Sequence, residues 1–239
     1  MRLPRVRGIA IGALLSCAAA GCIPEGLIKQ PELAIVPGPP AGWTITSNTS
    51  AIGTTVTDKK SGGTAVYLSG AFQLELKTVT LAQFIKADDY RGKRVQLSAW
   101  VKPRNVTNVV NSGIWMRVDG LGTTLAYDDM AARPVVGYGE WRQVYVVLDV
   151  PMSAVGIVLG ALFTASNTLL VDDMHLTIVG TDVPSTSTVS TPITASDSAT
   201  TAARYLNSPR APVNMDFENT TALRIELSPL LPIPIFARS

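Results

Sequence analysis

Three stretches between positions 93 and 150 place an aliphatic side chain at every second residue. Val95, Leu97, Ala99 and Val101 alternate with Arg94, Gln96, Ser98, Trp100 and Lys102. Ile114, Met116 and Val118 alternate with Trp115, Arg117 and Asp119. Val144, Val146, Leu148 and Val150 alternate with Gln143, Tyr145, Val147 and Asp149. Successive side chains of a strand point to opposite faces, so a two-residue period buries one face and leaves the other open. Apolar, β-branched runs at 64–69, 72–79, 155–163 and 168–179 extend the pattern, and 81–87 fits a strand with Leu81, Gln83 and Ile85 on one face. Ser61-Gly62-Gly63, Tyr90-Arg91-Gly92-Lys93, Asp119-Gly120-Leu121-Gly122 and Gly137-Tyr138-Gly139 supply turns between them. Many short strands without a long helical pattern predict an all-β fold, a β-sandwich of jelly-roll type.

Composition narrows the function classes. Hydrophobic residues make up 46% and charged residues 16%, which excludes a chain too polar to bury a core. A net charge of +2 gives no strong basic field, so nucleic acid is not an expected partner. Two cysteines and one histidine exclude the usual Cys/His zinc cage and a disulfide-rich scaffold.

The ends differ from the middle. Residues 1–7 carry Arg2, Arg5 and Arg7; a small apolar run follows, then Ala19-Ala20-Gly21-Cys22. A basic start, an apolar stretch and small residues before a cut describe an export signal, and the run is too short to span a bilayer. Small residues directly before a cysteine resemble the lipobox of bacterial lipoproteins. Cys22 is then the acylated residue and a membrane anchor; Cys17 is the alternative, with a shorter apolar core. The expected organisation is a signal peptide at 1–22, a Pro-rich tether at 23–40, a jelly-roll domain at 41–180, a Ser/Thr/Pro-rich linker at 181–212 and a tail at 213–239. The expected localisation is exported and membrane-anchored, in the cell envelope or at the cell surface.

The faces opposite the aliphatic ones mix aromatics, amides and charges. Aromatic planes stack on the apolar side of a pyranose ring while polar groups bind its hydroxyls. Trp100, Trp115, Arg117, Asp119, Gln83, Gln143 and Tyr145 are therefore the candidate ligand contacts, whereas Trp43 and Trp141 read as anchors of loops or the sandwich edge. Asp128-Asp129 and Asp172-Asp173 are adjacent pairs, so neither doublet faces one bond as glycoside hydrolysis requires. His175 has Asp173 two residues away, but no nucleophile elbow accompanies it. The reading is a non-enzymatic module for carbohydrate or another envelope ligand. Its rivals are a structural or protein-interaction module and, third, a glycan- or ester-active hydrolase.

Five segments, at 84–95, 113–120, 128–134, 141–151 and 170–174, together resemble the galactose-binding-like jelly rolls of the carbohydrate-binding-module type. The resemblance covers about residues 42–180. It implies that fold, and sugar binding as one of several roles such domains take. Members often bear a structural calcium, held by an Asn/Asp-Phe-Glu segment of the first strand and an Asp near the last. Asp172 or Asp173 matches the latter. The former occurs only near the carboxyl end, as Asn214-Met215-Asp216-Phe217-Glu218. Either the tail folds back to supply Glu218, or a second, truncated domain begins there, or the likeness is accidental. Beyond that structural calcium, no cofactor is expected.

Overall fold

The computed structural model describes residues 35–45, 52–55, 58–70, 78–191, 193–194 and 198–219. In chain order these form β1 (Ile35–Pro37), β2 (Thr44–Ile45), β3 (Ile52–Thr55), β4 (Ala65–Gly70), β5 (Val79–Lys86), β6 (Lys93–Gly120), β7 (Thr123–Asp128), β8 (Arg142–Val150), β9 (Gly156–Val179), β10 (Ile193–Thr194) and α1 (Ser198–Leu206). All strand pairs are antiparallel.

Two long strands, β6 and β9, run side by side through both layers of a β-sandwich. The later half of β6 and the first half of β9 build a front sheet, ordered β2–β5–β9–β6–β7–β10. Their other halves build a back sheet, ordered β1–β3–β4–β9–β6–β8. The strands change sheet at a corner where the β6–β9 register shifts between Arg104 and Asn111. Asn105, Asn108 and Asn167 adopt left-handed backbone there, with φ of 57°, 50° and 72°. Asparagine tolerates that region better than most residues. Asn167 Nδ2 donates to the Asn105 carbonyl at 2.6 Å and ties the two bends together.

The aliphatic faces meet between the sheets. Val95, Leu97, Ala99, Val101, Ile114, Met116 and Val118 of β6 all lie buried in one cluster with Leu148, Ile157, Leu159, Phe163 and Val171. Alternation thus assigns the inward residues on both sides of the bend. Of the stretch 81–87, residues 81–86 fall in β5, as the pattern predicts. The runs at 155–163 and 168–179 fall, from Gly156 on, in two halves of one bent strand. β7 follows the Leu121-Gly122 turn, where Gly122 takes φ of 70°, and was not among the expected strands. Of the expected strand at 72–79, residues 72–77 lie outside the described residues.

The flanks pack more closely than their composition suggests. Of the stretch 23–40, expected as a tether, residues 23–34 lie outside the described residues, and β1 at its end pairs with β3. In the stretch 181–212, expected as a flexible linker, Thr186 N donates to the Val147 carbonyl at 2.8 Å and Val147 N to Thr186 Oγ1 at 2.9 Å. Thr188 N donates to the Tyr127 carbonyl at 2.7 Å, and α1 lies against the front sheet through Tyr205. Ser and Thr hydroxyls satisfy exposed strand edges as readily as water, so a polar composition does not by itself keep a segment away from the fold.

The tail folds back, the first of the three readings of its Asn-Met-Asp-Phe-Glu segment. Phe217 is fully buried, its ring 5.3 Å from that of Trp43. Trp43 Nε1 donates to the Asn214 carbonyl at 2.9 Å, and Ala41 N donates to the Asn219 carbonyl at 2.9 Å. Both ends of the described chain therefore close one side of the core.

Candidate functional site

The outward face of the front sheet carries a second apolar cluster of Ala82, Trp115, Val158, Leu162 and Tyr205, with Phe84, Tyr127 and Val155 packed against it. Trp115 is paired in register with Gly160. Its indole Nε1 donates to the Leu81 carbonyl of β5 at 3.3 Å, so the ring lies across β9. Beside it opens a groove of about 440 Å³, lined by Thr80, Trp115, Arg117, Thr124, Tyr127, Leu162 and Val189. That volume falls within the range of small-molecule sites, about 300–1,000 Å³.

Trp115 and Tyr127 meet edge-to-face, with centroids 6.4 Å apart and planes at 62°. The Tyr127 hydroxyl donates to Asp129 Oδ2 at 3.1 Å, which also accepts from Asn111 Nδ2 at 2.6 Å. Burial, and then the Asp129 charge, raise the Tyr127 phenol above its ordinary value, so it stays protonated and can donate. Arg117 Nε and Nη2 donate to Asp119 Oδ1 and Oδ2 at 2.6 and 3.0 Å. The Tyr205 hydroxyl adds a third bond to Asp119 Oδ2 at 2.6 Å. Burial opposes the Arg117 charge, but the bonds to Asp119 outweigh it and raise its pKa, so the cation is fixed. The groove is thus lined by the half-buried Tyr127 ring, by a Trp115 that is only 8% exposed, by two threonines and by an arginine whose charge is matched by its own aspartate.

The seven sequence candidates separate. Trp115 and Arg117 line the groove. Asp119 is 3% exposed with its oxygens taken, so it holds Arg117 instead of facing a ligand. Gln83 is also 3% exposed, on the core side. Its amide donates to the Gly42 and Val213 carbonyls at 3.1 and 2.9 Å and accepts from Val213 N at 2.7 Å. Gln83 is therefore a structural clasp for the tail. Trp100 belongs to the back sheet, where Lys60 Nζ stands 4.3 Å above its ring. Gln143 and Tyr145 sit on β8 at the edge of that sheet. The bend in β6 puts Trp100 and Trp115 on opposite sides of the sandwich. Tyr127, Thr80, Thr124, Leu162 and Val189 were missed, although the Leu121-Gly122 turn followed by Thr-Thr-Leu-Ala-Tyr-Asp was a readable hairpin signal. Cys22 lies outside the described residues.

The residues expected at calcium hold backbone instead. Asp172 is fully buried, and its Oδ2 accepts from Lys60 N and Ser61 N at 2.8 and 3.0 Å, its Oδ1 from Asp173 N at 2.7 Å. Burial raises its pKa above the ordinary 3.8, against the pull of those amides. Glu218 Oε1 accepts from Gly63 N and Thr64 N at 2.6 and 3.1 Å. Asp173 turns to His175 at 3.0 Å. Calcium needs six to eight oxygens. Here N–H groups face the carboxylates, and among the described residues no three acidic, His or Cys side chains form a metal cluster. This donor set does not fit the ion. Asp128 is likewise engaged, by Arg133 and Met130 N, while Glu140 reaches Lys102 at 3.4 Å.

No family model matches the chain. Over 108 residues it is 35% identical to the uncharacterized HTH-type transcriptional regulator YbfP of Bacillus subtilis (strain 168). The match covers 45% of this chain and 36% of that relative, so the chain spans about a third of the regulator's length. Among solved structures, the CBM22-1 xylan-binding domain from Paenibacillus barcinonensis Xyn10C is 18% identical, covering 58% of this chain and 86% of that one, with a TM-score of 0.41. TmCBM61 in complex with β-1,4-galactotriose is 14% identical, over 58% and 90%, with a TM-score of 0.40. An apo cyclase from Fischerella sp. is 14% identical, over 65% and 91%, with a TM-score of 0.45.

Proposed function

We propose that this domain is a non-catalytic carbohydrate-binding module that seats an uncharged saccharide in the front-sheet groove. The angled pair of Trp115 and Tyr127 carries the reading. The half-buried Tyr127 offers its ring to the sugar while the nearly buried Trp115, 8% exposed, closes the side, and stacking on aromatics suits the apolar face of a pyranose. Thr80, Thr124 and the free edge of the Arg117 guanidinium supply donors and acceptors for hydroxyls. Because Asp119 already neutralises Arg117, a charged sugar would lose hydration without gaining a counter-charge. Affinity electrophoresis through neutral polysaccharides tests the reading. Retardation by one of them, lost in Tyr127→Ala, supports it; free migration through every polysaccharide overturns it.

The sequence before the described residues supports a lipoprotein context. In this reading Cys22 is acylated, the residues after it tether the domain, and the module works at an exported membrane surface. Membrane fractionation checks this: Cys22→Ala releases the protein to the soluble fraction, and unchanged sedimentation with membranes contradicts it.

A further inference from the structure

On the other sheet, β8 is an edge strand paired with β6. Against it lies a second groove of about 230 Å³, whose lining includes Arg133, Arg142, Gln143 and Tyr145. Its chemistry differs from the first. Six of the eight described arginines pair with carboxylates. Arg204 lies over the Phe84 ring. Arg142 has no such partner among the described residues, and neither the Gln143 amide nor the Tyr145 hydroxyl has one. All three line this groove, and Tyr145 is 54% exposed.

The opposite wall is rigid. Arg133 Nη1 and Nη2 donate to the fully buried Asp128 at 3.1 and 2.6 Å, and Nη2 also donates to the Tyr145 carbonyl at 3.0 Å. A fixed guanidinium, a free one, an amide and an open phenol thus border one small groove at the edge strand β8. Among the described residues no carboxylate lines it.

We infer that this groove is a second binding site, for a saccharide that carries a carboxylate. The free Arg142 fork matches a carboxylate in two parallel bonds. Tyr145 offers its ring to the sugar, and Gln143 offers both a donor and an acceptor to the hydroxyls. An acidic peptide shares the carboxylate but not the ring, and the exposed aromatic favours the sugar.

Isothermal titration of the full chain with oligogalacturonate at low salt tests this, beside the methyl-esterified oligomer, polyglutamate and inorganic phosphate. The acid oligomer should bind, the ester at least tenfold more weakly, and Arg142→Ala should lose at least tenfold for the acid. Gln143→Ala should also weaken it. Both side chains are exposed, so thermal unfolding of the variants should match that of the wild type. Equal binding of acid and ester, no effect of Arg142→Ala, or binding of polyglutamate or phosphate as tight as that of the sugar acid would each overturn the inference.

Discussion

The Tyr205 hydroxyl donates to Asp119 Oδ2 at 2.6 Å, joining α1 to the front sheet across 86 residues of chain. Tyr205 is 3% exposed, and its ring lies where a Cβ on Gly156 would stand, about 2.1 Å from the nearest ring carbon. Glycine at 156 is what lets α1 dock. The same aspartate holds Arg117, so the helix supports the groove through that shared carboxylate.

Tyr205→Phe should remove a hydrogen bond to a buried carboxylate, worth about 1.5–3 kcal/mol. Urea unfolding should show a lower midpoint with an unchanged slope. Gly156→Val should act more strongly, by displacing the ring, and hydrogen exchange should rise across α1. A midpoint unchanged in both variants would mean that the helix contributes nothing to the fold.

Phe217→Ala should cost about 3–5 kcal/mol, the usual loss for a large aromatic truncated in a packed core. A chain ending at residue 212 should lose that burial and the Val213 partners of Gln83 together. Denaturant titration of the two variants checks it. Wild-type stability in the shortened chain would contradict the role given to the tail.

Two aspartates should pull the acid limb of stability in opposite directions. Arg94 Nε and Nη2 donate to Asp149 at 2.7 and 2.8 Å and hold its carboxyl below the ordinary 3.8. A lowered folded pKa gives stability that is complete above the unfolded value and is lost as pH falls through the folded one. Burial raises Asp172 above 3.8, so its contribution is complete below that value and is lost as pH rises through the raised one. In thermal unfolding from about pH 2 to 7, Arg94→Gln should flatten the fall on the acid side. Asp172→Asn should flatten the change just above 3.8. Asp149 is half exposed, so solvent screening keeps its share small.

The inward faces of the sandwich were legible because a two-residue period is a local signal. Ile114, Met116 and Val118 needed no knowledge of their partners. Trp100 and Trp115 show where that signal ends. The same alternation places both opposite an aliphatic face, but the corner between Arg104 and Asn111 sends those faces to opposite sides of the molecule. Only the pairing of β6 with β9 reveals the bend. Gln83 shows the converse: its spacing from Leu81 and Ile85 already put it on the core side, and its polarity drew the ligand reading. Tyr205 was hidden in a polar stretch, since its bond to Asp119 has no counterpart in nearby sequence.

The most direct test follows the indole N–H signals of the four tryptophans by nuclear magnetic resonance while neutral oligosaccharides are added. Trp115 lines the groove, Trp43 is packed on Phe217, and Trp100 lies on the far sheet. The signal of Trp115 should move in a saturable way with one of the sugars, while those of Trp43 and Trp100 stay in place. A stationary Trp115 signal across the whole sugar panel, or movement confined to Trp100, would contradict a saccharide site on the front sheet.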